Sequence, residues 1–318
     1  MGPGRKVFWN IDYHSLLYPL LLITLIIFCV GLYRRIRLWR LGQSEKRNDH
    51  LPQRVMAVLK YGIAQVKVLK ETYPGVMHML VFLGFVILLI GTTIVSIDYD
   101  VWHLIFGQES FLTGSFYLYF SLILDIAGVI ALAGILIALF RRYIQKPDRL
   151  NNQPDDAIFL VGLLLIIVGG YFVEASRIAA NQPEWAAWSP VGSWMSGLFA
   201  GLAEEQIQGW HKFFWWSHLI LAFAFIAYIP FSKLFHMISS PVNIFFRSFK
   251  PKGELQSIDI ENAESFGTTR IDEFSWKHLM DLDACTRCGR CQDQCPATIS
   301  EKPLSPKKLI LDLLDDLN

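Results

Sequence analysis

The chain has 318 residues, 53% of them hydrophobic and only 18% charged, with a formal net charge of +1. Its mean hydropathy is +0.35. That balance excludes an ordinary soluble domain, and the near-neutral charge offers no footprint for nucleic acid.

Five apolar runs are long enough to cross a bilayer, which takes about 20 apolar residues. The first, roughly Leu16–Tyr33, lacks a small-residue cleavage site and ends in a basic cluster, so it reads as a retained helix and not a signal peptide. The others are roughly Val76–Ile97, Phe116–Phe140, Ala157–Ile178 and Phe213–Phe235. Arg34, Arg35, Arg37 and Arg40 follow the first run, Arg141, Arg142, Lys146 and Arg149 the third, and Arg247, Lys250 and Lys252 the fifth. The two remaining loops carry Asp98, Asp100 and Glu109, and Glu184, Glu204 and Glu205. Basic loops stay cytoplasmic, so the N-terminus is expected outside and the C-terminus inside. Arg5 and Lys6 are the minority signal.

Histidine in a membrane helix is costly and marks function. His218 and His236 are 18 residues apart. At 100° per residue that is about five turns, placing both on one face roughly 27 Å apart, with one imidazole near each membrane surface. His78 opens the second run, which travels the opposite way, so His78 and His236 share the inner depth. Two imidazoles from antiparallel helices at one depth suit a bis-imidazole b-type haem, with Gly84 and Gly91 leaving room on the second run. At the outer depth Leu88 stands where a second histidine would serve His218; His103, in the outer segment, is the candidate partner. The plainer alternative for these residues is an interfacial histidine bonded to headgroups or backbone carbonyls. His14, His50, His211 and His278 read as solvated or interfacial.

A quinone pocket needs an apolar slot beside a proton-exchanging group. Glu174 and Arg177, at the outer end of the fourth run, and Asp125 within the third are the candidates. An interfacial ion pair and a helix–helix hydrogen bond are the respective alternatives.

The membrane domain is expected over 1–247, a polar linker over 248–274 and an iron–sulfur segment over 275–318. "SWKHLMDLDA" predicts a short helix. "PLSPKKLILDLLDD" predicts another, with Ser305 as N-cap and Pro306 at the first helical position. Between them lies "CTRCGRCQDQCP", which reads C-x2-C-x2-C-x3-C-P. Cys285, Cys288, Cys291 and Cys295 are therefore the expected [4Fe–4S] ligands. Zinc favours two ligand pairs separated by a longer loop. Such thiolates need a reducing compartment, in agreement with a cytoplasmic tail. In two-cluster ferredoxins the last cysteine of such a run ligates the other cluster. Cys285, Cys288 and Cys291 are then expected to hold one cubane. Cys295 would serve a second, whose other ligands lie beyond Asn318 in a continuation or a separate subunit.

The stretch "HLILAFAFIAYIPFSKLFHMISSPV" closely resembles the last helix of the respiratory nitrate reductase gamma subunit, a five-helix dihaem cytochrome b. The resemblance implies that His218 and His236 are haem ligands and that His78 is the first ligand of the second helix. The family's second ligand there is replaced by Leu88. The tail, "CTRCGRCQDQCPATISEKPLSPKKLILDLLDDL", resembles fused iron–sulfur oxidoreductases related to heterodisulfide reductase. Members join such a membrane domain to two ferredoxin motifs and cysteine-rich CCG domains, and several work between electron-transfer flavoprotein and menaquinone.

The expected architecture is thus all-α: a five-transmembrane-helix haem-binding bundle followed by a small cytoplasmic ferredoxin-like [4Fe–4S] segment. The expected role is a quinone-linked oxidoreductase component in a bacterial or archaeal cell membrane. It would carry one or two haem b groups and need a downstream ferredoxin/CCG segment or subunit. The rival is a membrane-anchored iron–sulfur redox sensor or assembly tether without quinone chemistry. Stacked histidines do not favour a transporter.

Overall fold

The computed structural model describes residues 2–251, 254, 261 and 267–317. The expected linker over 248–274 lies in part outside the described residues. Among those described there is no strand, and twelve α-helices follow in order. They are α1 (Leu17–Trp39), α2 (Leu51–Ala57), α3 (Thr72–Ser96), α4 (Gly114–Leu139), α5 (Pro154–Asn181), α6 (Pro190–Ser196), α7 (Glu204–Tyr228), α8 (His236–Phe245), α9 (Trp276–Asp283), α10 (Arg290–Asp293), α11 (Pro296–Ile299) and α12 (Pro306–Leu317). Five helical spans among the described residues are long and apolar enough to cross a membrane: His14–Trp39, Thr72–His103, Gly114–Gln145, Pro154–Asn181 and Glu204–Phe231. The chain is a multi-pass membrane protein. Leu22, Ile23 and Ile26 on α1 and Leu136 on α4 are about half exposed or more, as side chains that meet lipid are.

The residues fall into two compact units. The first comprises Met1–Leu25, Leu69–Gln145 and Asp156–Ala227; the second comprises Ile26–Val68, Lys146–Asp155 and Tyr228–Asn318.

Small residues organise the first unit. Ala131 and Ile135 on α4 are fully buried, against Leu160, Leu163, Ile167 and Tyr171 on α5. In lipid, helices gain most from close backbone approach, which small side chains permit. A Cβ on Gly84 of α3 would lie 2.6 Å from Ala131 Cβ and 2.7 Å from the Ala127 carbonyl. One on Gly134 of α4 would lie 2.7 Å from the Val81 backbone nitrogen. Buried acids are all satisfied here. Asp98 accepts from Ser110 Oγ at 2.7 Å and Phe111 N at 2.8 Å, and Asp156 pairs with Arg142 at 2.8 Å.

The fifth apolar run is not one helix. α7 stops at Tyr228, and two short 3₁₀ turns, Ile229–Phe231 and Lys233–Phe235, precede α8. Pro230 has no N–H to extend the helix. Ser232 turns extended, at φ −131° and ψ 175°, and its hydroxyl accepts from Leu234 N at 3.2 Å. Asp155 locks the break by accepting from the Tyr228 hydroxyl and, at 2.8 Å, from Lys233 N. His218 on α7 and His236 at the start of α8 therefore do not share a continuous helix. The phase and spacing expected from the sequence do not apply to them.

The second unit has its own apolar core. Leu279 and Leu282 of α9 meet Leu314 and Leu317 of α12, with Leu38 and Trp39 packed against them. Ser275 caps α9 and Ser305 caps α12, accepting from His278 N at 3.4 Å and Lys308 N at 3.1 Å. Arg54 of α2, 1% exposed, donates to the carbonyls of Phe245 at 2.7 Å and Arg247 at 2.9 Å. It thereby satisfies the last carbonyl of α8, which the helix leaves open, and one just beyond it.

Replacing Gly84 with leucine should cost about 1–3 kcal/mol by overpacking. The thermal midpoint of detergent-solubilised protein should fall, while Gly197→Ala, which meets nothing within 4 Å, should leave it unchanged. Equal midpoints for both variants would remove the close α3–α4 contact from the account.

Candidate redox site

The cysteine motif lies wholly in the second unit. Cys285 follows the last turn of α9, its N–H donating to the Leu282 carbonyl at 3.1 Å. Arg287 and Gly289 both adopt left-handed backbone, at φ 58° and 76°. These turns bend the chain within the motif, so that Cys288 precedes α10, Cys291 lies on it and Cys295 caps α11. Gly289 is required twice over. Its φ disfavours a side chain, and a Cβ would stand 2.8 Å from the Arg149 carbonyl. That carbonyl also accepts from Lys307 Nζ at 2.8 Å, and the Arg149 guanidinium reaches Asp293 at 2.7 Å. Arg290 donates to the Val68 carbonyl at 3.2 Å. The motif is therefore braced from several sides by its own unit.

None of the four motif cysteines is in a disulfide; two are exposed and two half-buried. Among the described residues no three His, Cys, Asp or Glu side chains converge on one ion-sized point. Thiolates spaced C-x2-C-x2-C-x3-C-P are the donor set of ferredoxin-type clusters, in which the last cysteine of the run ligates a second cluster. The thiols are also unlike one another. The Thr298 N–H at the start of α11 pulls the Cys295 thiol below its usual value, whereas burial pushes Cys285 up.

The histidines have fixed tautomers. His236 Nδ1 lies 2.7 Å from the Lys233 carbonyl, and His218 Nδ1 lies 2.8 Å from the Ile166 carbonyl. A carbonyl only accepts, so in each ring Nδ1 carries the proton and Nε2 keeps the lone pair. That is the arrangement of a metal-ligating imidazole, with the second nitrogen held by backbone. Burial also pulls His236 below the usual imidazole value, against a smaller upward pull from the Lys233 carbonyl. His218 packs on a side-chain-free stretch of α5, where a Cβ on Gly170 would meet its Cε1 at 3.3 Å. Both rings thus have the donor chemistry that haem iron requires.

His78 is half-buried in the second turn of α3. Leu88 packs against the core of the first unit. His103 is exposed in the π-helical turn after α3, with Nδ1 3.1 Å from the Gln108 carbonyl and its ring beside Tyr99.

Glu174 and Arg177 lie 3.8 Å apart on α5. Gly192 of α6 leaves room for the glutamate; a Cβ there would come within 2.8 Å of Glu174 Cγ. Asp125 is committed to backbone, accepting from Val191 N at 2.9 Å and Gly192 N at 3.2 Å. It therefore fixes the start of α6.

Two residues escaped the sequence reading. His211 is 2% exposed, stacked edge-on against Trp9, and its Nδ1 has no partner among the described residues. It is not solvated, because the N-terminal segment folds over it: Asn10 donates to the Gln208 carbonyl at 2.9 Å and Asp12 pairs with Lys212 at 2.5 Å. The same segment carries Arg5 toward Glu174 and Arg177. Burial, and next the Arg177 charge, pull the Arg5 guanidinium down to about 10. The cue was Trp9, an aromatic too large to leave idle in a polar tail.

Residues 106–251 match the nitrate reductase gamma subunit family, and residues 276–297 match a 4Fe-4S binding domain. The chain is 37% identical over 317 residues to the EtfAB:quinone oxidoreductase of Syntrophomonas wolfei, covering 96% of this chain and 43% of that protein. It is 33% identical over 290 residues to the probable iron-sulfur-binding oxidoreductase FadF of Bacillus subtilis, covering 89% and 40%. It is 26% identical over 312 residues to a probable membrane-anchored ferredoxin of Chromohalobacter salexigens, covering 94% and 41%. The chain thus spans less than half the length of each of these relatives. No solved structure matches it.

Gly289→Ala should strain a left-handed residue by about 1–2 kcal/mol and press on the Arg149 carbonyl. Bound iron per chain should fall while helical circular dichroism is kept. Wild-type iron content in this variant would show that the turn does not shape the site.

Proposed function

We propose that this chain, which joins a nitrate reductase gamma subunit domain to a 4Fe-4S binding domain, is the electron-transfer part of a membrane oxidoreductase. It would work between a cytoplasmic electron-transfer flavoprotein and membrane quinone. The observation that carries the reading is His236, a half-buried imidazole locked in its ligating tautomer, in the same compact unit as the four cysteines. The names and identities of the longer relatives support it.

In this reading Cys285, Cys288 and Cys291 hold a [4Fe–4S] cluster. Cys295 serves a second one, completed by a further ferredoxin/CCG segment or subunit. His78, His218 and His236 are haem b ligands, and His103 is the candidate fourth. Bound haem and clusters supply one-electron carriage, whereas quinone exchanges two electrons with two protons. The chain's own residues hold and orient. The Lys233 and Ile166 carbonyls fix the planes and tautomers of His236 and His218. Both rings are half-buried. On the quinone side, Glu174 is the proton-exchanging group, Arg177 holds its charge, and Asp125 keeps α6 in place beside it. The basic loops put the N-terminus outside and the cysteine motif in the cytoplasm.

His236→Ala and His78→Ala should each remove one haem's worth of pyridine-haemochrome absorbance from the purified protein, with no loss of chain. Full absorbance surviving in both single variants would sink the ligand assignment.

A further inference from the structure

Two neighbouring residues of α1 meet both the cysteine segment and the turn that carries His236. Arg35 Nη1 donates to Asp283 Oδ1 at 2.9 Å, and Trp39 Nε1 donates to Asp283 Oδ2 at 3.0 Å. Residues 35 and 39 are one turn apart, so they share a helix face. Asp283 is two residues ahead of Cys285. On the other side, Arg35 Nε donates to the Pro230 carbonyl at 3.0 Å, and its guanidinium carbon lies 5.5 Å from the Phe235 ring centroid. The Trp39 ring lies 6.0 Å from Phe235, tilted by 31°. Phe235 is 2% exposed, and the next residue is His236. α1 also closes tightly on this turn: a Cβ on Gly31 would fall 2.6 Å from Pro230 Cβ. Cys285 and His236 are thus linked, within one compact unit, through Asp283, the Arg35–Trp39 face and Phe235.

We infer that Arg35 and Trp39 are positioning residues that set the gap between the cluster held at Cys285 and the haem held by His236, and that the Trp39–Phe235 ring pair fills it. This rests on the reading above, in which the motif binds a cluster and His236 a haem. The step served is the movement of one electron. In the reductive direction it leaves a reduced cluster and arrives at a ferric haem; no proton moves and no bond forms or breaks. Such transfer weakens steeply as the gap widens or empties of protein. An ordinary structural staple would need only the Asp283 pair. Here the same guanidinium also grips the turn before the haem ligand, so one residue fixes both ends.

The test uses full-length protein loaded with haem and cluster, in wild type, Trp39→Phe, Trp39→Ala, Arg35→Lys and Arg35→Ala. Haem content, iron content and thermal midpoint are recorded first. A flash-generated one-electron donor then reduces the cluster, and the rise of ferrous haem absorbance gives the internal rate. Trp39→Ala and Arg35→Ala should slow that rise several-fold at unchanged cofactor content. Trp39→Phe, which keeps a ring against Phe235, should recover most of the rate. Arg35→Lys, which can keep the Asp283 pair but not the Pro230 bond, should fall between. Wild-type rates in both fully loaded alanine variants overturn the inference. If the alanine variants lose iron or fold, Arg35→Lys decides: a slowed rate at full content supports the positioning role, and a wild-type rate overturns it. His236→Ala tests the underlying reading separately, because retention of its haem defeats that reading whatever the rates.

Discussion

Asp283 brings a carboxylate, 5% exposed, into contact with the Arg35 guanidinium and the Trp39 indole. Burial pushes its carboxyl above the ordinary range, and the Arg35 charge, then the Trp39 hydrogen bond, pull it back. Removing one partner from a buried pair of this kind typically costs about 3–5 kcal/mol, because the other charge is left uncompensated. The arrangement of the second unit depends on this pair. It seats the end of α9 against α1, and Cys285 follows directly on the last turn of α9. The apolar contacts of Leu279 and Leu282 with Leu38 and Trp39 add area, but they have no directional preference. The hydrogen-bonded carboxylate selects one seating among those that area alone would allow.

The first unit answers a different constraint. Helices in lipid gain little by hiding apolar side chains, so contact there depends on shape and on polar groups that must find partners. Gly84, Ala131 and Gly134 supply the shape. Asp98, Asp125 and Asp156 supply the second element, each bonded to backbone or a cation. His218 fits the same logic. Its Nδ1 is tied to a carbonyl of α5, and Gly169 and Gly170 let it lie close to that helix. A ring held in this way has little freedom left to lose.

Much of this was legible in the sequence, and the omissions have physical causes. Long apolar runs declare membrane helices because bilayer thickness fixes their length. The cysteine run declares its chemistry because ligand spacing is set by the cluster. Ser305 and Pro306 mark the start of α12, as helix-end chemistry dictates. The break after Tyr228 was not read. Pro230 was visible, but the stop depends on Asp155, a carboxylate far away in sequence that holds Tyr228 and Lys233. Helical periodicity was therefore carried past its limit, from His218 to His236. The burial of His211 was hidden for a related reason: it is made by Trp9 and Asn10, about two hundred residues earlier. Asp125 looked like a membrane carboxylate available for proton exchange, whereas its oxygens receive two backbone N–H groups of α6. Local pattern reveals an element and its chemistry. It does not reveal which distant group completes a cap or covers a ring.

The central claim is that one chain carries electrons between an iron–sulfur cluster and quinone. The most direct measurement is the optical spectrum of the purified, cofactor-loaded protein in the minutes after a menaquinol analogue is added without oxygen. The account predicts that the bound b-type haem becomes reduced, and that the same sample holds the cluster at Cys285, Cys288 and Cys291 by electron paramagnetic resonance after low-potential reduction. A protein that carries its cluster but binds no haem, or whose haem stays ferric under quinol, would contradict the account and favour a membrane-tethered iron–sulfur sensor.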